Sequence, residues 1–493
     1  MTLLLIAPVG APALAAGAYA ALGWRRATAW LGTVAAAALL ASAVALAVRA
    51  MDAPVTGLGG LLRADALSAF MLIVIGAVTL PAMLTSPGYL DAEHAAGHST
   101  ARDMRRYGVL TQGFVAAMAL AVLASGLGVL WIAIEATTIL TAFLVGHRRT
   151  RNATEAAWKY VVICSTGIAL AFLGIVLLHF AARHAHVPSS GALDWMRLSV
   201  HAGQLDPDVT RLAAALLILG FGTKAGLAPL HAWLPDAHSQ APAPVSALMS
   251  GVLLPVAFYA VLRVKMIADA ALGTGPARTL LLILALASLG IATMLLLAQR
   301  DFKRMLAYSS IEHMGLLALG AAIGSRLAVM AVLLHILGHG LAKSVAFLAS
   351  GHIHQAVGSS RIDAVRGLAA RSPVVACGFG AAVIALLGFP PFGPFASELG
   401  VFRAGFAAGL GWAVAAALVL LLVITAALAA RTGGMLLGAP RTGPGAAAFP
   451  LRPSRTGTAA LVLGLLGCAA IGIGLGPLHD LLDQAAAVLG AHR

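Results

Sequence analysis

Residues 327–350 read LAVMAVLLHILGHGLAKSVAFLAS. A run of about 20 mainly apolar residues is long enough to cross a bilayer as a helix. Yet this one carries His335, His339 and Lys343, each four residues after the last. Residues so spaced advance about 40° around a helix and about 6 Å along it, so the three form one stripe about 12 Å long. One water could link each neighbouring pair. A charge at the bilayer centre costs about 2.5–3.5 kcal/mol even on lenient insertion scales, so groups of this kind are paired or wetted and mark function. The plainer reading is a histidine bonded to a backbone carbonyl and a lysine snorkelling to an interface. Three titratable groups in a row, beside the features below, point instead to a proton relay.

The rest of the chain has the same solvent in view. Of 493 residues, 60% are hydrophobic and 10% charged, and the mean hydropathy is +0.94. Soluble domains carry about 25% charged residues, so a water-soluble globule is excluded. Long apolar runs, rather than alternating ten-residue segments, exclude a β-barrel. The fold class is an all-α polytopic membrane protein. Spans are expected near 2–22, 28–48, 61–84, 107–125, 127–146, 157–180, 209–227, 243–264, 276–298, 305–324, 326–350, 373–399, 404–430 and 458–476. That is about fourteen, the first read as a retained helix and not a cleaved signal.

The net charge of +14 would suggest nucleic acid in a soluble protein; here no nucleic-acid partner is expected. Basic residues instead gather in cytoplasmic loops of membrane proteins. With both termini on the outer side, the inner loops receive the clusters Arg102/Arg105/Arg106, Arg148/Arg149/Arg151, Arg300/Lys303/Arg304 and Arg441/Arg452, while Arg263, Arg326 and Arg493 fall outside. The longest loops, near 85–106, 181–208 and 431–457, are too short for a soluble domain. The last contains GAPRTGPGAAAFPLRPSRTG, a flexible connector.

Two spans look interrupted. Residues 219–244 (LGFGTKAGLAPLHAWLPDAHSQAPAP) hold Pro229, Pro235, Pro242 and Pro244, and residues 385–400 (ALLGFPPFGPFASELG) hold Pro390, Pro391 and Pro394. Proline removes a helix hydrogen bond, and broken backbone at membrane depth survives only where protein or a wet cavity receives it. Two interrupted helices five spans apart suggest inverted repeats of five helices, spans 4–8 and 9–13. The expected division is 1–106, a three-helix segment; 107–265 and 266–430, the two repeats; and 431–493, a cytoplasmic loop and a C-terminal helix.

The mid-membrane candidates are Glu135, Lys224, the row His335, His339 and Lys343, and Glu398. His231, His238, Glu312 and His313 are secondary, and Glu312 and His313 are expected at a solvated inner helix end. A buried lysine loses its proton readily, and a nearby carboxylate restores its affinity. Lys224 with Glu135 would therefore act as a switch: approach of the acid holds the proton, withdrawal releases it. The three cysteines, Cys164, Cys377 and Cys468, are isolated and form no CxxC pair. No metal or cofactor set is expected from them.

At these residues the chain resembles the proton-pumping, antiporter-like subunits of respiratory complex I, the multi-subunit sodium/proton antiporters and the membrane-bound hydrogenases. The resemblance lies in FGTKAGLAPLHAWLPDAHSQAPAPVSALMSGVLL, LWIAIEATTILTAFLVG, RMLAYSSIEHMGLLALG, HILGHGLAKSVAFLASG and GFPPFGPFASELG. It covers about 60–480, and the YSSIEHMG block and FASE ending are most similar to hydrogenase-4 component F. It implies that Glu135 and Lys224 form an ion pair, that His335, His339 and Lys343 are a central relay, and that Glu398 is a terminal group. It also implies no cofactor here, with redox centres in a peripheral arm and other membrane-arm subunits as partners, in the inner (plasma) membrane. The alternative is a cation/proton antiporter or inorganic-carbon uptake subunit without redox chemistry; a scaffold that has lost pumping is a further rival. Two departures stand out: Gln240 where the family often has an acid, and Pro255 where it often has a polar residue on the eighth span. The long lateral helix of the largest relatives is not expected.

Overall fold

The computed structural model describes residues 2–185, 193–439 and 453–491. Arg441, Arg452, Arg493 and most of the connector 438–457 lie outside the described residues. The chain opens with α1 (Thr2–Leu22) and α2 (Leu31–Ala50), then a short hairpin of β1 (Val55–Gly57) and β2 (Leu62–Ala64). There follow α3 (Ala66–Ala95), α4 (Ala101–Leu123), α5 (Leu127–Val145), α6 (Arg151–His184), α7 (Trp195–Val200), α8 (Pro207–Lys224) and α9 (Trp233–Gln240). Next come α10 (Ala243–Leu248), a π-helical segment (Met249–Leu253), α11 (Leu254–Leu272), α12 (Gly275–Leu297), α13 (Phe302–Ile323), α14 (Arg326–Val357) and the short α15 (Leu368–Arg371). The remainder is α16 (Pro373–Leu386), α17 (Gly393–Ala407), α18 (Gly411–Leu437), α19 (Arg455–Ile473) and α20 (Leu478–Val488).

Among the described residues, 12 helices are long and apolar enough to cross a membrane, counting Ala243–Leu272 as one rod. The protein is a polytopic membrane protein. The two interrupted helices stand where the prolines place them, α8–α9 and α16–α17. The expected third span begins too early, at 61; the glycines of 57–60 turn the hairpin there, and the helix starts at Ala66 under its Asp65 cap. The expected divisions after 106, 265 and 430 all fall inside helices, namely α4, α11 and α18. The amphipathic α20 was not expected; Arg326 at the start of α14 ties it down through two bonds of 2.5 Å to Asp483.

Burial sorts the helices into layers. The apolar windows of Ala243–Leu272, α13 and α14 are wholly buried, whereas those of α1 and α19 are 28% buried. A helix covered on every side by protein needs small residues where backbones meet. Gly251 in the π-helical segment and Gly340 in α14 meet face to face: a Cβ on either would come within 2.9 or 2.8 Å of the other's carbonyl oxygen. That approach puts the π-helical turn against α14 directly beside His339 and one turn short of Lys343. Outer helices turn apolar side chains outward, as lipid requires; Leu3, Leu437 and Ile473 are more than three-quarters exposed.

Two cations assigned to loops are in fact inside the protein. Arg263, expected outside, is 1% exposed on α11; its Nη2 donates to both oxygens of Asp65 at 2.8 Å, and its guanidinium lies 3.8 Å from the Trp195 ring centre. Lys303, expected in an inner loop, is 3% exposed and donates to the carbonyls of Ser239 and Ala241 at 3.2 Å, closing the end of α9. Arg148, also expected in a loop, forks onto the buried Glu93 at 2.7–3.0 Å and meets His354 at 3.0 Å. In each case a partner remote in sequence offsets the desolvation of the charge.

Breaking a buried pair by removing one partner leaves the other charge stranded, at a cost of about 3–5 kcal/mol. Asp65→Ala and Arg263→Ala should each destabilise the detergent-solubilised protein by about that amount. The double apolar replacement Asp65→Leu with Arg263→Met should recover most of it. Thermal unfolding checks this; single variants as stable as the parent would contradict the pairing.

Candidate functional site

Two groups of titratable residues meet inside the bundle. The first lies where α5, α6 and α8 converge. Lys224 is the last residue of α8, is fully buried, and points its ammonium at Thr138 Oγ1 (2.8 Å) and Tyr160 OH (2.5 Å). Thr138 in turn donates to Glu135 at 3.1 Å, and Ser165 donates to the other carboxylate oxygen at 3.2 Å. The direct Glu135–Lys224 ion pair expected from the sequence is therefore absent. A threonine hydroxyl stands between acid and amine, accepting from one and donating to the other, and Glu135 itself is only partly buried.

The break after Lys224 keeps its polar groups inside protein. The freed carbonyl of Thr223 accepts from the Trp233 indole at 3.0 Å, and the Ala228 amide donates to Ser288 on α12 at 2.9 Å. Trp233 packs on Tyr160 with ring centres 4.9 Å apart. His231 lies in the break, partly buried, its Nδ1 without a protein partner. His238, one helix on, is fully buried; it stacks on Phe347 at 4.9 Å, and neither ring nitrogen has a protein partner. Phe347 is one helical turn past Lys343, so α9 carries the chain of contacts from the Lys224 group to α14.

The second group gathers on α13, α14 and α17. Lys343 donates to the Leu306 carbonyl at 2.7 Å and to Ser309 Oγ. His335 is bonded on both sides, to His313 Nδ1 at 3.0 Å and to Ser397 Oγ at 2.9 Å. The ring of His339 lies 4.8 Å from that of His313, and neither of its nitrogens has a protein partner. Glu312 and His313, expected at a solvated helix end, are 3% and 0% exposed. The reason is that both lie in the middle of α13, not at its end, and the helix is covered on every side. Glu398, partly buried, turns its carboxylate onto Gly388 in the second break; the φ of +66° there and the closeness of that carboxylate both favour glycine.

The donor atoms of His313, His335 and Glu398 lie within 4.8 Å of one another, a spacing a metal could also use. His313 and His335, however, turn facing nitrogens to each other, and the other nitrogen of His335 is held by Ser397. The two histidines are thus joined to each other and to α17 by hydrogen bonds.

The two departures from the family pattern are compensated by neighbours. Gln240 lines a polar cavity of about 240 Å³ that Glu155 and Asp236 also line, so acids are present there from α6 and α9. Lys159 and Arg304 hold Asp236 at 3.2 and 2.7 Å. Pro255 has a polar neighbour one turn earlier: Ser250, in the π-helical segment, bonds Ser310 at 2.8 Å, and Ser310 is next to the Ser309 that holds Lys343. Sequence reading missed Ser250, Ser309, Tyr160, Thr138 and Ser397. Single hydroxyls in apolar runs are common, and only the fold shows which of them face a lysine or an imidazole.

A polytopic helical bundle with two proline-broken helices and a buried acid–lysine–histidine row defines an antiporter-like membrane subunit. Residues 124–425 match the family described as NADH:quinone oxidoreductase/Mrp antiporter, TM, and the chain belongs to that family. It is 38% identical over 352 residues to a hydrogenase-4 component F homolog of Methylacidiphilum infernorum, covering 71% of this chain and 73% of that one. It is 32% identical to NADH-quinone oxidoreductase subunit N of Desulforudis audaxviator, covering 70% and 69%. A structure of the membrane-bound sulfane sulfur reductase, an archaeal respiratory membrane complex, has the same fold with TM-score 0.85 at 24% identity, covering 99% of this chain and 97% of that one.

A buried group that loses its hydrogen-bond partner costs about 1–3 kcal/mol. Ser397→Ala should therefore lower stability by about that amount through the orphaned Nδ1 of His335. The shift in unfolding temperature checks it, and an unchanged temperature would contradict the bond.

Proposed function

We propose that this chain translocates protons as the membrane subunit of a redox-driven complex of the hydrogenase-4 or NADH–quinone oxidoreductase kind. The observation that carries the reading is the placement of the row. Lys224, His339 and Lys343 are fully buried and His335 is 1% exposed, all in the best-covered part of the bundle. Groups that bind protons at neutral pH are seldom buried in lipid-embedded protein for stability alone, because each costs free energy there. Hydroxyls of Thr138, Tyr160, Ser309 and Ser397 supply the short steps between them, and hydroxyls donate and accept at once.

The proton enters from the polar cavity beside Gln240 and reaches Lys224. Withdrawal or approach of the Glu135 carboxylate, relayed through Thr138, sets how firmly Lys224 holds it. The proton then crosses by His238 to Lys343, passes His339, His313 and His335, and leaves by Glu398. Water completes the steps at the unpartnered nitrogens of His238 and His339. On this reading the chain crosses the inner (plasma) membrane fourteen times with both termini outside. Spans 4–8 and 9–13 form two inverted repeats, after a three-helix N-terminal segment and before a C-terminal helix. It works beside other membrane-arm subunits and a peripheral redox arm that holds the cofactors.

Lys224→Ala removes the carrier without touching α8 packing partners other than Thr138 and Tyr160. It should abolish redox-driven acidification of membrane vesicles, a loss of at least about tenfold for a removed proton carrier, while the complex still assembles. Full acidification in the assembled variant would remove the proposal. Acidification that persists without any redox substrate but follows a sodium gradient would favour the antiporter reading instead.

A further inference from the structure

Among the buried carboxylates outside the path, Asp65 and Glu93 are each paired with an arginine, whereas no ion pair among the described residues holds Glu312. It is 3% exposed, lies in the middle of α13, and its Oε2 has no protein partner. An unsatisfied carboxylate oxygen in a buried helix is expensive and calls for a partner. Lys343 reaches α13 from α14 at Leu306 and Ser309, the latter one turn before Glu312; His313 follows Glu312 on its own helix, with Glu398 of α17 within 4.8 Å of it and the ring of His339 of α14 beside it.

Its surroundings repeat those of Glu135. The dipeptide Ile-Glu occurs at 134–135 on α5 and again at 311–312 on α13. In both places a hydroxyl one turn away on the acid's helix holds the lysine, but Thr138 follows Glu135 and bonds it, whereas Ser309 precedes Glu312 and gives its hydrogen to the Leu306 carbonyl. In both places acid and lysine stand apart, with no ion pair within 4.0 Å among the described residues. In a repeat of spans 4–8 and 9–13 the two acids lie on corresponding spans, the fifth and tenth, whereas the two lysines lie on the seventh and eleventh, which do not correspond.

We propose that Glu312 and Lys343 form a second acid–amine couple, distinct from that of Glu135 and Lys224. The inference rests on the proton-relay reading above. Lys343 as ammonium and Glu312 as carboxylate exchange one proton to give amine and carboxylic acid, with the pair neutral throughout; the acid then passes that proton to one imidazole, His339 or His313, leaving amine and carboxylate, and the next proton arriving by His238 restores the ammonium. The reach of Glu312 to Lys343 then gates the histidine cluster, as the reach of Glu135 to Lys224 gates the entry.

The test uses the assembled complex in native membrane vesicles, with Lys224→Ala as the reference for the relay itself. Glu312→Gln should cut redox-driven acidification at least about tenfold, as removal of a positioned acid–base group does; Glu312→Asp should restore part of it. Infrared difference spectra between resting and turning-over complex should show a carboxyl band that Glu312→Gln deletes, a readout that loss of packing alone would not move. Full acidification in Glu312→Gln, with Lys224→Ala inactive, would overturn the second couple and leave the relay standing. Inactive Glu312→Gln with an inactive Glu312→Asp and no carboxyl band to delete would also overturn it, since the residue would then be structural. If Glu312→Gln does not assemble, Glu312→Asp decides: a shifted carboxyl band supports the couple, and an unchanged spectrum overturns it.

Discussion

An ammonium group cannot stay in the middle of a membrane without acceptors close by, and this constraint organises the molecule. Lys224 and Lys343 both find theirs on a neighbouring helix: Thr138 and Tyr160 for the first, Leu306 and Ser309 for the second. To bring those acceptors within reach, α8 stops at Lys224 and α14 is covered by protein on every side. The proline breaks then need their own freed backbone groups satisfied, which Trp233, Ser288 and Lys303 do from neighbouring helices. Burial of the charges, breakage of the helices and the close Gly251–Gly340 contact are therefore one arrangement.

The same constraint bears on the proposed chemistry. A fixed salt bridge between Glu135 and Lys224 would hold a proton firmly. The Thr138 hydroxyl between them keeps acid and lysine linked without a direct ion pair, the arrangement the proposed switch requires. The π-helical turn at Met249–Leu253 acts in the same sense, since such turns inside α-helices accompany functional sites. It brings Ser250 to Ser310 and so offers a polar step where Pro255 removes one.

Much of this was legible in the chain. Spacing alone marked His335, His339 and Lys343, and the proline clusters marked both broken helices, because period and backbone chemistry are local properties. What was hidden depended on partners far away in sequence. Asp65 and Arg263 are 198 residues apart, and a rule that assigns arginines to loops could not see that one of them is buried. Lys303 was misplaced for the same reason, while Arg148 lies in the α5–α6 loop where it was expected. His313 lay only at the edge of the reading, since the sequence did not show that it sits mid-helix under a full cover of neighbouring helices. The hairpin at 55–64 was hidden by apolar composition, which cannot distinguish a short strand from the start of a span.

The central claim is that a continuous interior line joins Lys224 to Glu398; two of its members, His238 and His339, have no protein hydrogen-bond partner on either ring nitrogen, and His313 lacks one on Nε2. The direct measurement is a density map of the assembled complex at a resolution that shows ordered water. The account predicts water within hydrogen-bond distance of both histidines, linking His238 toward Lys343 and His339 toward His313. A map in which both rings are packed dry among apolar side chains would contradict it.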